Sequence, residues 1–199
     1  LTRPAVIASL FAYIALFVPL IEEMIKPIGV WFLLRRKLAP VDGFAAGLLS
    51  GAGYALFENI LLSSSDSHWM SLVLARVGTG AVHMFTASLV VGALVSAWSQ
   101  GRYLRLGLSF ALAVLIHSAW NGLTLFTVGL GTIPEQGSPF VVQSLRLIPL
   151  ALGSLAFLCA FMIWLFNRSL KRAIIASLPG AAQSETAQLS DPENKTEEV

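Results

Sequence analysis

Charge is what this chain has least of. Only 12% of its 199 residues are charged, 56% are hydrophobic, and the mean hydropathy is +0.75. A soluble domain carries about 25% charged residues, so this composition excludes an ordinary soluble protein and indicates a polytopic membrane protein. Cysteine is almost absent. The single Cys159 rules out an intrachain disulfide and a thiolate metal cluster, and its apolar surroundings suit a small buried hydrophobe. Alternation of period two is missing from the long apolar runs, which argues against strands. No convincing internal repeat is visible.

Five apolar segments are long enough to cross a hydrocarbon core, which takes about 20 helical residues. They run from about Pro4 to Leu34, Val41 to Leu62, Trp69 to Trp98, Leu104 to Val128 and Phe140 to Phe166. Pro19, Glu22, Glu23, Lys26 and Pro27 interrupt the first, which is expected to be kinked or broken. The expected fold is therefore all-α, a polytopic transmembrane helical bundle of about five spans with a broken first segment. Residues 1–175 form the membrane domain, and 176–199, small, polar and acidic, read as a disordered cytoplasmic tail.

Lysine and arginine are absent from Ser63–His68 and Gly129–Pro139. They cluster instead at Arg35–Lys37, at Arg102 and Arg105, and at Arg168, Lys171 and Arg172. The positive-inside rule puts these basic loops and the C-terminus in the cytoplasm, with Leu1 outside; the expected location is a prokaryotic plasma membrane. No signal peptide is recognisable, so at least one helix is expected before Leu1. The formal net charge of +2 hides a split between the acidic tail and the basic short loops, whose positive charge is the signature of this orientation, and nucleic acid is not an expected partner.

Only six carboxylate residues precede the acidic tail, and three of them stand in oily sequence. Glu22 and Glu23 are adjacent, Glu58 lies in the second segment, and His83 and His117 are embedded in the third and fourth. A charge near the bilayer centre costs about 2.5–3.5 kcal/mol on insertion scales, so several of them on separate helices point to a shared polar site. Gly43, Gly47, Gly51 and Ala55 fall four apart, a small-residue stripe that carries Glu58 into a helix interface. Packing accounts for the glycines and leaves the glutamate unexplained. His117 and Asn121 share one helical face. Lys26 can pair locally with Glu22 or Glu23, a membrane-embedded ion pair that would hold the kink. Arg76 is expected to snorkel or to pair with an acid.

Carboxylates and imidazoles around a water suit peptide hydrolysis. A carboxylate takes the water proton, histidine or asparagine stabilises the oxyanion, and a protonated group assists the leaving amine. The same residue types can hold zinc. Neither an HExxH helix nor a GxSxG elbow is present.

In their order, these residues resemble the PrsW family of intramembrane proteases, in the wider group of CAAX prenyl endopeptidases and bacteriocin-processing enzymes. Glu22-Glu23-Met24-Ile25-Lys26 matches the EExxK motif. Tyr54 to Glu58, followed by Asn59, resembles FxxxE-Asn with tyrosine in place of phenylalanine. His83, with Gly92 downstream, resembles the histidine of a Gly/Ala-rich helix, and His117 to Asn121 resembles HxxxN. The match covers about Pro19 to Leu125. The resemblance implies an endopeptidase acting on a single-span membrane protein, such as an anti-sigma factor cleaved at site one. It implies that one of Glu22 and Glu23 activates water while Glu58, His83 and His117 complete the site. Asn121 is expected to polarise the carbonyl, by extension from the wider group. If a metal is bound, zinc is the expected ion, with Glu58, His83 and His117 as ligands. The prenyl endopeptidases are similar to glutamate-dependent enzymes without metal, so both chemistries stay open. Two other classes fit intramembrane acids and histidines: a proton-coupled transporter, and a catalytically silent scaffold binding through the glycine stripe.

Overall fold

Proline decides where the first span breaks. In the computed structural model, which describes residues 3–32, 38–61, 69–130 and 147–176, that span is composite. It comprises α1 (Pro4–Ala12), a wide π-helical turn (Tyr13–Phe17), α2 (Val18–Ile25) and the short α3 (Ile28–Trp31). Pro19 brings no N–H to the ladder, and the turn ahead of it opens into the π form, where the Val18 N–H donates to the Tyr13 carbonyl. Pro27 ends α2 in the same way. Four further helices follow: α4 (Pro40–Leu61), α5 (Trp69–Gln100), α6 (Tyr103–Leu130) and α7 (Ile148–Ala176). The Lys26 carbonyl, at the second break, accepts the Ser50 hydroxyl of α4.

Five spans among the described residues are long and apolar enough to cross a membrane, and no strand occurs among those residues. The chain is thus an all-α, multi-pass membrane protein with a broken first span. The expected start of the fifth span at Phe140, the loop 63–68 and the tail from Ser177 lie outside the described residues. The end of the fifth span does differ. Its helix continues past Phe166 to Ala176, because Arg168, Lys171 and Arg172 are good helix formers that hydropathy alone excludes.

Two compact units are distinguished, Leu1–Phe161 and Met162–Val199. As described, the second is the last part of α7, where the Arg168 guanidinium lies 5.4 Å from the Trp164 ring centroid. The first holds everything that follows.

Its core is α5, of which two thirds of the spanning window is buried. The small-residue stripe of α4 lies on it. A Cβ on Gly43 would come within 2.7 Å of Val95 Cγ2, and at Gly47 or Gly51 it would overlap the α5 backbone at Ser88 or at His83–Met84. The two backbones therefore touch, which only glycine permits. Gly53, off the stripe, faces open space. α6 packs against α5, α2 and the π turn. Most of α7 is exposed, as a lipid-facing helix should be, though Cys159 on it is buried. These contacts bring α2, α4, α5 and α6 together around the polar residues.

Candidate active site

The site starts from the close approach of α4 to α5. Backbone contact at Gly51 brings Glu58, two turns further along α4, beside His83 on α5. Glu58 Oε2 lies 2.9 Å from His83 Nε2. Arg76, nearly two turns before His83, places a guanidinium nitrogen 3.7 Å from Glu58 Oε1. The acid partner expected for Arg76 is therefore Glu58.

Glu22 and Glu23 diverge around α2 and take different jobs. Glu23 is fully buried. Its Oε1 gathers three donors: the Lys26 ammonium of the same helix, the Thr86 hydroxyl at 2.9 Å, and His117 Nδ1 at 2.8 Å. Lys26 also lies 3.5 Å from the Thr86 hydroxyl and 5.3 Å from the Tyr54 ring centroid. The ion pair predicted within the broken segment exists, and it also clamps α5 and α6. Glu22 is less enclosed. Its Oε2 stands 3.5 Å from His117 Nε2 without a hydrogen bond, and the Tyr54 hydroxyl reaches the same carboxylate. The phenol of Tyr54 thus has a use that phenylalanine could not supply.

The two imidazoles meet edge to face, with centroids 4.8 Å apart and planes at 87°. One ligand atom each from Glu22, His83 and His117 fall within 4.8 Å of one another. The carboxylates also decide which nitrogen of each ring stays free. Glu58 takes the proton of His83 Nε2 and Glu23 takes that of His117 Nδ1, so the lone pairs of His83 Nδ1 and His117 Nε2 are left over. Neither His83 Nδ1 nor Glu22 Oε2 has a hydrogen-bond partner. Glu22 Oε2, His83 Nδ1 and His117 Nε2 are then acceptors with no donor among them. A water could satisfy two with its protons, whereas a divalent cation satisfies all three. The donor set of two imidazoles and a carboxylate, each imidazole backed by a second carboxylate, fits zinc.

The structure therefore brings Glu22, Glu23, Glu58, His83 and His117 to one centre. The converging trio contains Glu22 where the sequence suggested Glu58, because Glu58 is engaged on the far nitrogen of His83. Asn121 is used elsewhere. Its side-chain amide donates to the Ile14 carbonyl at 3.2 Å, inside the π turn. Such a turn shifts the backbone register and leaves carbonyls in need of donors, and Asn121 supplies one. Thr86 was not singled out in the sequence. Its spacing of three from His83 was the available signal, since both then face the same neighbours.

A family model described as PrsW family intramembrane metalloprotease matches residues 2–154. No curated protein and no solved structure matches the chain. The matched stretch contains every residue of the centre just described, and the family's activity makes the chain a peptide hydrolase working on membrane proteins within the bilayer. That activity displaces the transporter and scaffold readings. With more than half of its length matched, the chain belongs to the PrsW family of intramembrane proteases.

Proposed function

We propose that the chain cleaves a single-span membrane protein, such as an anti-sigma factor, at a zinc centre held by Glu22, His83 and His117. The observation that carries this reading is that ligand atoms of Glu22, His83 and His117 fall within 4.8 Å of one another, while Glu22 Oε2 and His83 Nδ1 are buried without a hydrogen-bond partner. Zinc in that place would act as a Lewis acid on the scissile carbonyl and lower the pKa of a water toward about 7.

The remaining residues divide the other tasks. Glu58 holds the His83 tautomer through Oε2. Its side chain is 26% exposed, the most accessible carboxylate of the cluster that stands outside the trio. We assign it the proton taken from water, which it then delivers to the leaving amine. Arg76, 3.7 Å from Glu58 Oε1, limits where that carboxylate can swing. Glu23 orients His117, and Lys26 with Thr86 fixes Glu23. Low dielectric around these buried groups makes each of these interactions stronger than it would be in water.

The basic loops at Arg102 and Arg105, and at Arg168 to Arg172, support a cytoplasmic C-terminus in the plasma membrane. Glu58 then lies toward the outer surface, which suits cleavage on the extracytoplasmic side of a substrate span.

The test is metal analysis of purified protein together with cleavage of a co-expressed single-span anti-sigma factor. About one zinc per chain is expected, with cleavage lost to chelator and restored by zinc. A metal-free preparation that still cleaves would overturn the zinc centre.

A further inference from the structure

Close approach of α4 to α5 at Gly51 delivers two side chains to the centre. Tyr54 stands one turn before Glu58 on α4, so the two share a face. The Tyr54 ring lies 5.4 Å from the His83 ring, centroid to centroid, with planes at 57°. The Lys26 ammonium lies 5.3 Å from the same phenol ring. These contacts use the ring alone. The hydroxyl hydrogen-bonds the Glu22 carboxylate. Since Glu22 Oε2 has no hydrogen-bond partner, the phenol donates to Oε1. Other donors of the centre are committed elsewhere: Thr86 and Lys26 to Glu23, Arg76 to Glu58, and Asn121 to Ile14. Of these donors, Tyr54 is the one that bonds a carboxylate of the trio.

The two oxygens of Glu22 therefore differ. Oε1 is held by the phenol, whereas Oε2 is bare and stands 3.5 Å from His117 Nε2. A carboxylate can ligate a cation through one oxygen or through both. Two imidazoles and one oxygen leave a four-coordinate ion with one open position, as a hydrolytic centre requires. Two imidazoles and two oxygens fill all four positions, which is the closed set of a structural site. A hydrogen bond to Oε1 opposes the second arrangement, because that oxygen would have to give up its donor to reach the ion.

We propose that Tyr54 is a positioning residue that keeps Glu22 Oε1 off the cation, so that Glu22 ligates through Oε2 alone and one coordination position stays open for water. The inference rests on the zinc reading and adds what keeps that centre reactive. Two side chains of α4 then tune two ligands of the trio: Glu58 sets the tautomer of His83, and Tyr54 sets the binding mode of Glu22.

Tyr54→Phe is the test, because it deletes the hydroxyl and keeps the ring with its contacts to His83 and Lys26. The full chain in detergent is loaded with cobalt(II), whose visible bands report its ligands. It is then titrated with azide, a small anion that takes an open coordination position. The parent should bind azide with a shift of those bands. Tyr54→Phe should still bind cobalt but need about tenfold more azide for the same shift, because a second carboxylate oxygen occupies the position. Its zinc-loaded kcat should fall about 10–100-fold with KM unchanged. Its metal-free unfolding temperature should match the parent. A parent-like azide titration of Tyr54→Phe would overturn the proposal by showing the hydroxyl to be dispensable. A variant that no longer folds would overturn it too, by showing the hydroxyl to be structural. A parent that binds no cobalt would overturn the zinc centre and this inference with it, so metal binding by the parent tells the two failures apart.

Discussion

His117 Nδ1 lies 2.8 Å from Glu23 Oε1, an oxygen that also receives Thr86 and Lys26. One buried atom therefore links α2, α5 and α6, and its charge is shared among three donors rather than offered to water. That sharing makes Glu23 a positioning group and leaves Glu22, one residue earlier, to join the two imidazoles in the trio.

Glu23 and Lys26 should behave as a unit. Removing either partner alone strands a buried charge and should cost about 3–5 kcal/mol. Glu23→Gln combined with Lys26→Met should cost clearly less than the two single changes added together. Thermal unfolding of the four proteins in detergent measures the coupling. Strict additivity would show that the pair contributes no interaction of its own.

Glu22 and Glu58 should separate metal from chemistry. Glu22→Gln should lose zinc and activity together. Glu58→Gln should weaken zinc by about 10–100-fold, as loss of a carboxylate behind a ligating histidine does. At saturating zinc its turnover should still be about 10²–10⁴-fold down. Zinc titration beside cleavage rates checks both. Full turnover of zinc-loaded Glu58→Gln would remove Glu58 as the proton carrier.

The glycine stripe should be intolerant where the backbones touch. Gly51→Ala places a Cβ against the His83 carbonyl and Met84 Cα, so the helices must part. A loss of about 1–3 kcal/mol is expected, with activity falling further because Glu58 is drawn from His83. Gly53→Ala, whose Cβ meets open space, should match the parent in both unfolding temperature and cleavage.

Asn121 provides a sharp contrast between two roles. If its amide only satisfies Ile14, Asn121→Ala should cost about 0.6 kcal/mol, the average for a hydrogen bond between membrane helices, and leave kcat nearly unchanged. An oxyanion donor would instead cost about 10²–10³-fold in kcat. Stability and kcat measured on the same variant decide between them.

Much of this was legible beforehand for a physical reason. A span is a local property: its length and oiliness must match the bilayer, so the number of spans, the break at Pro19 and Pro27, and the list of side chains that lipid rejects follow from the chain itself. The stripe of Gly43, Gly47 and Gly51 likewise announces a close contact, and Glu58 sits on its face. Partner choice is different, because it depends on the register and rotation of helices far apart in sequence. Only the folded chain decides that Glu58 meets the outer nitrogen of His83, that Glu22 rather than Glu58 joins the two imidazoles, and that Thr86 completes the hold on Glu23. The same holds for Asn121, whose spacing from His117 suggested a shared task. The widened turn at Ile14 claims its amide, and that demand arises from a backbone geometry that residue spacing does not reveal.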